Sequence, residues 1–529
     1  MSEAAIPLRM RTFPTILSIH QMIAYGVPFA FWALMLMFPE RGGEWVWLVI
    51  ILLTGYFLIK PTVERVIWVL LPYLFSVGGA SFSLSIFDIS LRQLPSWVTW
   101  LSYIFVPLSI LVSLFIYPHW KEREVGLPLF ALTLVSVASA LIHDSGALSW
   151  LGWMLHFVRY PLLFLALVNY PIKKEVYLAW VKTFIGLAYL QIPATILQSL
   201  LWRISFSDDI LGTMYGAQTS MMGITVSIAL CLHLAIVLNA KNPLGGFILL
   251  PTLFIPMFLG AANFAVALSI LCMVYIIAVW GISFIEDHER LKIRLKKWVG
   301  LLANVTIILI VGLLLAIVIS FGAESHELTA WFFGTMPNLS TLDAFIKPEY
   351  AAFGSRQMFI ATTYQWFLKN PSHLWLGSIG PQVGLGTQGA TFAQLLGQEG
   401  YYPLAYINMA AGFPPNTAQS NVQLPRVLLE VGLVGLSCFL WLYYIPLKKA
   451  LSIRKSQILS PMAASLSIGF QAVWLIVVVF SIFYVDSWRF DQTSFAFWLI
   501  AAAVWKMSQP TLEQKISSEN IDPRSDTIS

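Results

Sequence analysis

Five arginines set among apolar residues are the groups best suited to chemistry in this sequence: Arg356, Arg426, Arg159, Arg203 and Arg489. A guanidinium stays charged at any physiological pH and can grip two phosphate or carboxylate oxygens at once. Such groups either bind an anion or pair with carboxylates. Arg426 stands four residues before Glu430 in "NVQLPRVLLEVGLVG", the spacing of a helical ion pair. Arg203 precedes Asp208 and Asp209, and Arg489 lies between the aspartates of "VDSWRFDQ". Arg159, in "FVRYPLLFLAL", is too deep in its apolar run to snorkel to a surface, so it faces an internal site or a buried polar group. Proton acceptors in the same region are His373, Glu399 and Glu430. His373 could equally cap a helix end, and Glu399, in "GQEGYY", could be a solvated turn residue. His156 reads as a core histidine and Lys182 as one that snorkels. No group of His, Cys, Asp and Glu has metal-ligand spacing. Cys231, Cys272 and Cys438 all fall inside apolar runs, as packing residues do.

The elements that hold these residues are membrane helices. With 58% hydrophobic and 11% charged residues, and a mean hydropathy of +0.76, the composition excludes an ordinary soluble domain. Apolar runs fall at 21–38, 44–59, 66–87, 97–117, 127–142, 149–170, 176–201, 218–239, 246–260, 263–285, 299–321, 426–446, 461–483 and 493–506, about fourteen spans of near-membrane length. The fold class is therefore an all-α polytopic membrane protein. The start, "MSEAAIPLRMRTFP", has no small-residue cleavage site, so the first span is expected to stay.

Basic residues orient the spans, because cytoplasmic loops collect Lys and Arg. An N-terminus inside puts Arg9, Arg11, Lys60, Arg65, Lys241, the cluster "ERLKIRLKKW" at 289–298, Lys448 and Lys449 on one side. This requires 246–285 to be a hairpin turning near "GAAN" at 260–263. Both termini are then cytoplasmic, and the net charge of +5 is an orientation signal with no nucleic-acid footprint. The expected organisation is spans within 1–321, one large exoplasmic loop at 322–425, the last spans within 426–506, and a disordered cytoplasmic tail at 507–529.

That loop is rich in aromatic residues and poor in charge, which argues for a folded, mostly helical cap. A helix is expected to open at Pro348-Glu349, carry Phe353, Ile360, Tyr364 and Phe367 on one stripe, and stop at Pro371. Arg356 lies beside that stripe, where it can face a site at the membrane surface. Gly377, Gly380, Gly384, Gly386 and Gly389 then suit tight turns and close backbone approach. Trp366, Trp375, Tyr401, Tyr402 and Tyr406 could stack on sugars, although packing explains them as well.

The chain resembles the O-antigen polymerase and O-antigen ligase superfamily of bacterial envelope glycosyltransferases. The resemblance rests on Arg356 opening a loop helix, Asn370-Pro371 ending it, the pair Gly377 and Gly380, and the run "SNVQLPRVLLEVGLVG" with Asn421, Glu430 and Gly432. "LGTMYGAQTS" and "FVRYPLLFLAL" are weaker echoes. Two positions depart from the pattern: Ser420 stands where ligases carry a histidine before Asn421, and Asn263 stands where many members carry Arg or Lys. The first departure counts against a ligase that depends on that histidine and favours a polymerase, or a divergent member that uses other groups.

The resemblance implies transfer of a glycan from a polyprenyl pyrophosphate carrier to an acceptor sugar hydroxyl, with inversion and without metal or nucleotide cofactor. It would take place at the outer face of the bacterial inner membrane. Arg356 and Arg426 would then stabilise the departing pyrophosphate, with Arg159, Arg203, Arg489 and Asn421 binding substrate, and His373, Glu399 or Glu430 taking the proton. The implied partners are lipid-linked oligosaccharide, membrane lipids and a chain-length regulator, with no nucleic acid. A ligase acting on finished glycan and a transporter or flippase of lipid-linked sugars are the alternatives.

Overall fold

A computed structural model describes residues 18–38, 41–76, 124–202, 210–214, 219–240, 244–260, 262–283, 356–378, 380–381, 423–455, 461–483 and 491–509. Among these residues the chain is almost entirely helical and has no strand. The helices are α1 (Ile19–Met37), α2 (Gly42–Ile59), α3 (Val63–Leu74), α4 (Gly126–Ile142), α5 (Ala147–Asn169), α6 (Lys174–Trp202), α7 (Thr219–Leu238), α8 (Leu244–Leu249), α9 (Phe254–Leu259) and α10 (Asn263–Ser283). After them come α11 (Arg356–Lys369), α12 (Gln423–Lys455), α13 (Pro461–Phe483) and α14 (Asp491–Met507). Five of the described helices are long and apolar enough to cross a membrane: Ile19–Met37, Lys174–Leu201, Met221–Leu238, Leu424–Ile453 and Met462–Ile482. The molecule is a helical, multi-pass membrane protein.

Local signals start several helices. Ser18 and Gln21 form a reciprocal capping box at α1, and the Thr62 hydroxyl accepts the Arg65 N–H at α3, each satisfying donors that a helix start leaves open. α7 is buried nearly all round, as a helix apolar on every face should be at the centre of a bundle. α13, α10, α6 and α14 pack on it, while α12 lies between α13 and α4. Phe31, Met35, Val46, Val49, Leu53 and Val69 form a smaller core among α1, α2 and α3. α4 turns Leu127, Phe130, Leu134 and Leu141 outward, the lipid-facing side of a peripheral helix.

Most of the apolar runs that fall on described residues form helices whose ends lie within a few residues of those expected, and two are broken. The run at 246–260 is α8, a 3-10 turn at Leu250–Leu253 and α9. Pro251 and Pro256 lack the N–H groups that a continuous helix would use there. α12 starts earlier than 426 and is interrupted at Gly432, whose φ of 68° and ψ of −170° are not helical. The runs at 97–117 and 299–321, much of 66–87, most of the 322–425 loop and the 510–529 tail lie outside the described residues. So do Pro348 to Ser355, where the loop helix was expected to open. The helix itself ends at Lys369, with Asn370 and Pro371 following, as expected.

Candidate functional site

Arg426 and Glu430 lie one turn apart on α12, before its break. The Nε of Arg426 donates to Oε1 of Glu430 at 2.8 Å. The opposite oxygen, Oε2, accepts the indole N–H of Trp153 from α5 at 2.7 Å. Glu430 is 1% exposed and Arg426 8% exposed. The expected ion pair exists, but it is buried between helices and not on an exposed helix face. With both oxygens engaged by donors, Glu430 is held as an acceptor and orients Arg426. Trp153 is itself fixed by Phe157, whose ring centroid is 4.5 Å away.

The break after Glu430 lets a second segment cross α12. At Gly432 the backbone occupies a region open essentially to glycine, and a Cβ there would overlap the Trp375 carbonyl. A Cβ added at Gly377, at φ 85°, would likewise overlap the backbone of Leu429 and Glu430. Across this approach Ser378 N–H donates to Leu429 O at 2.7 Å, and Val434 N–H donates to Trp375 O at 3.3 Å. The hydroxyl of Ser139 on α4 donates to both Leu376 O at 2.8 Å and Glu430 O at 2.7 Å. One serine thus ties three segments together, replacing the helical hydrogen bonds that the break gives up.

His143 and His373 meet beside this junction, with ring centroids 6.2 Å apart. His143 follows the last residue of α4, and His373 sits in the 3-10 turn Pro371–Leu374. Burial, and then the charge of His373, hold the pKa of His143 below the usual histidine value, with the Gly377 backbone opposing. His143 is therefore a neutral imidazole at neutral pH. The Trp366 ring of α11 packs on His373 at 5.3 Å. His373 is exposed.

Helix rise sets the depth of the cluster. From Gly432 to Lys448 the helix rises about 24 Å at about 1.5 Å per residue, most of the thickness of a hydrocarbon core of about 30 Å. The ion pair stands beyond the Gly432 break, toward the end of α12 opposite Lys448 and Lys449. Arg159 lies six residues further along α5 than Trp153 and is 2% exposed, with its guanidinium 4.9 Å from the centroid of the Tyr160 ring. Arg356 is the first described residue of α11. Glu399, Arg203, Arg489 and Asn421 lie outside the described residues.

Three contributors are legible only in three dimensions. Trp153, Ser139 and His143 sit far from Glu430 and His373 in sequence and carry no local motif. A further unforeseen feature is a segment at 210–214 folded against α6. Gln198 accepts the N–H groups of Leu211 and Gly212 at 3.1 and 2.8 Å, and Gln191 accepts that of Thr213 at 2.9 Å. Such a rail allows irregular backbone inside a bundle, because its polar groups stay satisfied. Compared with family models and with curated proteins, the chain matches none.

Proposed function

We propose that the protein is a polysaccharide polymerase. It would transfer glycan from a polyprenyl-pyrophosphate-linked donor to an acceptor sugar hydroxyl at the outer face of a bacterial inner membrane. The observation that carries this reading is the Arg426 guanidinium, fixed by the buried carboxylate of Glu430. On the expected topology this end of α12 would stand at headgroup level, where a lipid-linked pyrophosphate sits, and an arginine already oriented needs little reorganisation to receive it.

In the reaction the acceptor oxygen attacks the anomeric carbon and the bond to pyrophosphate breaks. The bonding electron pair leaves on the pyrophosphate oxygen, and the hydroxyl proton passes to a base. Arg426 and Arg356 stabilise the charge growing on the leaving group. Glu430, Trp153 and Ser139 position Arg426 and the crossing segment. Exposed His373, beside a neutral His143, is the described residue best placed to take the proton.

The test is reconstitution of the purified protein in vesicles with a polyprenyl-pyrophosphate-linked repeat unit. Growth of lipid-linked glycan by whole repeats, with release of one polyprenyl pyrophosphate per linkage, is expected. Transfer of the label only to a non-polymer acceptor would mark a ligase instead.

A second reading, a carrier of lipid-linked sugar, draws on the two interrupted apolar helices, since carriers often bind substrate at such breaks. Movement of labelled donor across vesicles without any new glycosidic bond would favour it.

A further inference from the structure

We propose that α11 and the turn after it are seated in the bilayer, in the headgroup layer opposite Lys448 and Lys449, with Tyr364, Leu368 and Trp375 pressed toward lipid. The helix has two faces. Thr363, Trp366 and Phe367 are buried against the protein, whereas Tyr364 and Leu368, one turn apart, point out, and Leu368 is 59% exposed. Trp375, just beyond the 3-10 turn, is 60% exposed. Large apolar and aromatic side chains left outward on a short helix need a cover.

The covering partner follows from where the segment is tied. Trp375 O accepts the N–H of Val434 at 3.3 Å, so its backbone shares the depth of the α12 break. Gly432 lies about 24 Å from Lys448 at about 1.5 Å per residue, so with Lys448 at one boundary it stands near the opposite boundary of a hydrocarbon core of about 30 Å, where the headgroup layer begins. On either side of this tie the surface is apolar and exposed. Leu433 and Val434 are turned out on α12, and Leu141 and Ile142 are turned out at the end of α4, whose Ser139 holds Leu376. The exposed face of α11 continues that surface. Indole and phenol rings with a lysine, Lys369, at the helix end match the composition of an interfacial segment. Lipid contact thereby fixes the level of the helix that begins at Arg356, independently of what substrate the site takes.

Site-directed spin labels test this in the full-length protein. Cys231, Cys272 and Cys438 are first replaced by alanine. Single cysteines then enter by Tyr364→Cys or Leu368→Cys, both exposed positions where truncation removes little packing. The labelled protein is placed in phosphatidylcholine–phosphatidylglycerol vesicles, with Leu440→Cys as the lipid-facing control and Glu124→Cys as the water-facing one. Preferential collision with oxygen over a water-soluble nickel chelate, several-fold above the Glu124 label, is expected at both positions. Free access of the nickel chelate would overturn the proposal. So would shielding from both quenchers, because the cover would then be protein.

Discussion

Arg426, Glu430 and Trp153 form a relay in which one buried carboxylate is shared by a guanidinium and an indole. Changing Glu430 to Gln keeps the shape but removes the charge that aims Arg426. Polymer formation is expected to fall at unchanged membrane abundance, read by glycan electrophoresis. Arg426→Lys preserves the charge but loses the planar fork, so it should be rescued little. A loss of about 100-fold, the scale of removing one preorganised donor, is expected for the polymerisation rate of either variant in vesicles.

His143 brings a pH dependence. Its folded pKa is lowered from 6.5, so just below that value the unfolded chain binds more protons than the folded one. Stability therefore rises with pH through this window and is lost as pH falls below about 6.5. Thermal unfolding in detergent at stepped pH should show this decline, and His143→Asn should flatten it. Asp144 beside it and His373 across the junction are the other titratable groups of these two segments, so each needs its own variant as control.

At the scale of elements, the junction of α12 with the 371–381 segment depends on glycine. Gly432→Ala meets both a conformation costing on the order of 1–3 kcal/mol for other residues and a steric overlap with Trp375. A marked drop in monodisperse protein on size-exclusion chromatography is expected, whereas Gly55→Ala, whose added Cβ meets nothing, should be silent. Gln198→Leu should free the amides of Leu211 and Gly212, making the 210–214 segment more open to protease than in the wild type.

Sequence periodicity was enough to place the ends of α13 and the stop of α11, because apolar run length and Asn370-Pro371 are local signals. The i, i+4 pair of Arg426 and Glu430 was legible for the same reason. The broken course of α12 was not, since Gly432 and Gly435 read as ordinary glycines of an apolar helix until Trp375 is seen to cross there. Trp153 and Ser139 had to escape notice, because their roles are set by helix packing across hundreds of residues of chain.

For the molecule as a whole, a bundle centred on α7 and α13 carries α4, α5 and α12 at one flank. The arginine, the carboxylate and the two histidines gather around the break in α12. Lys448 and Lys449 stand toward the other end of α12. A cysteine placed at Lys448 should react with a membrane-impermeant maleimide only after the cytoplasmic side is opened, and one at Ser372, which is exposed, should react in intact cells. The most direct test of the central claim is the size distribution of lipid-linked glycan in cells carrying the wild type or Arg426→Ala at matched membrane abundance. Collapse of long chains to single lipid-linked units is the expected result. Persistence of the normal chain lengths would contradict the assignment of the fixed guanidinium to glycan transfer.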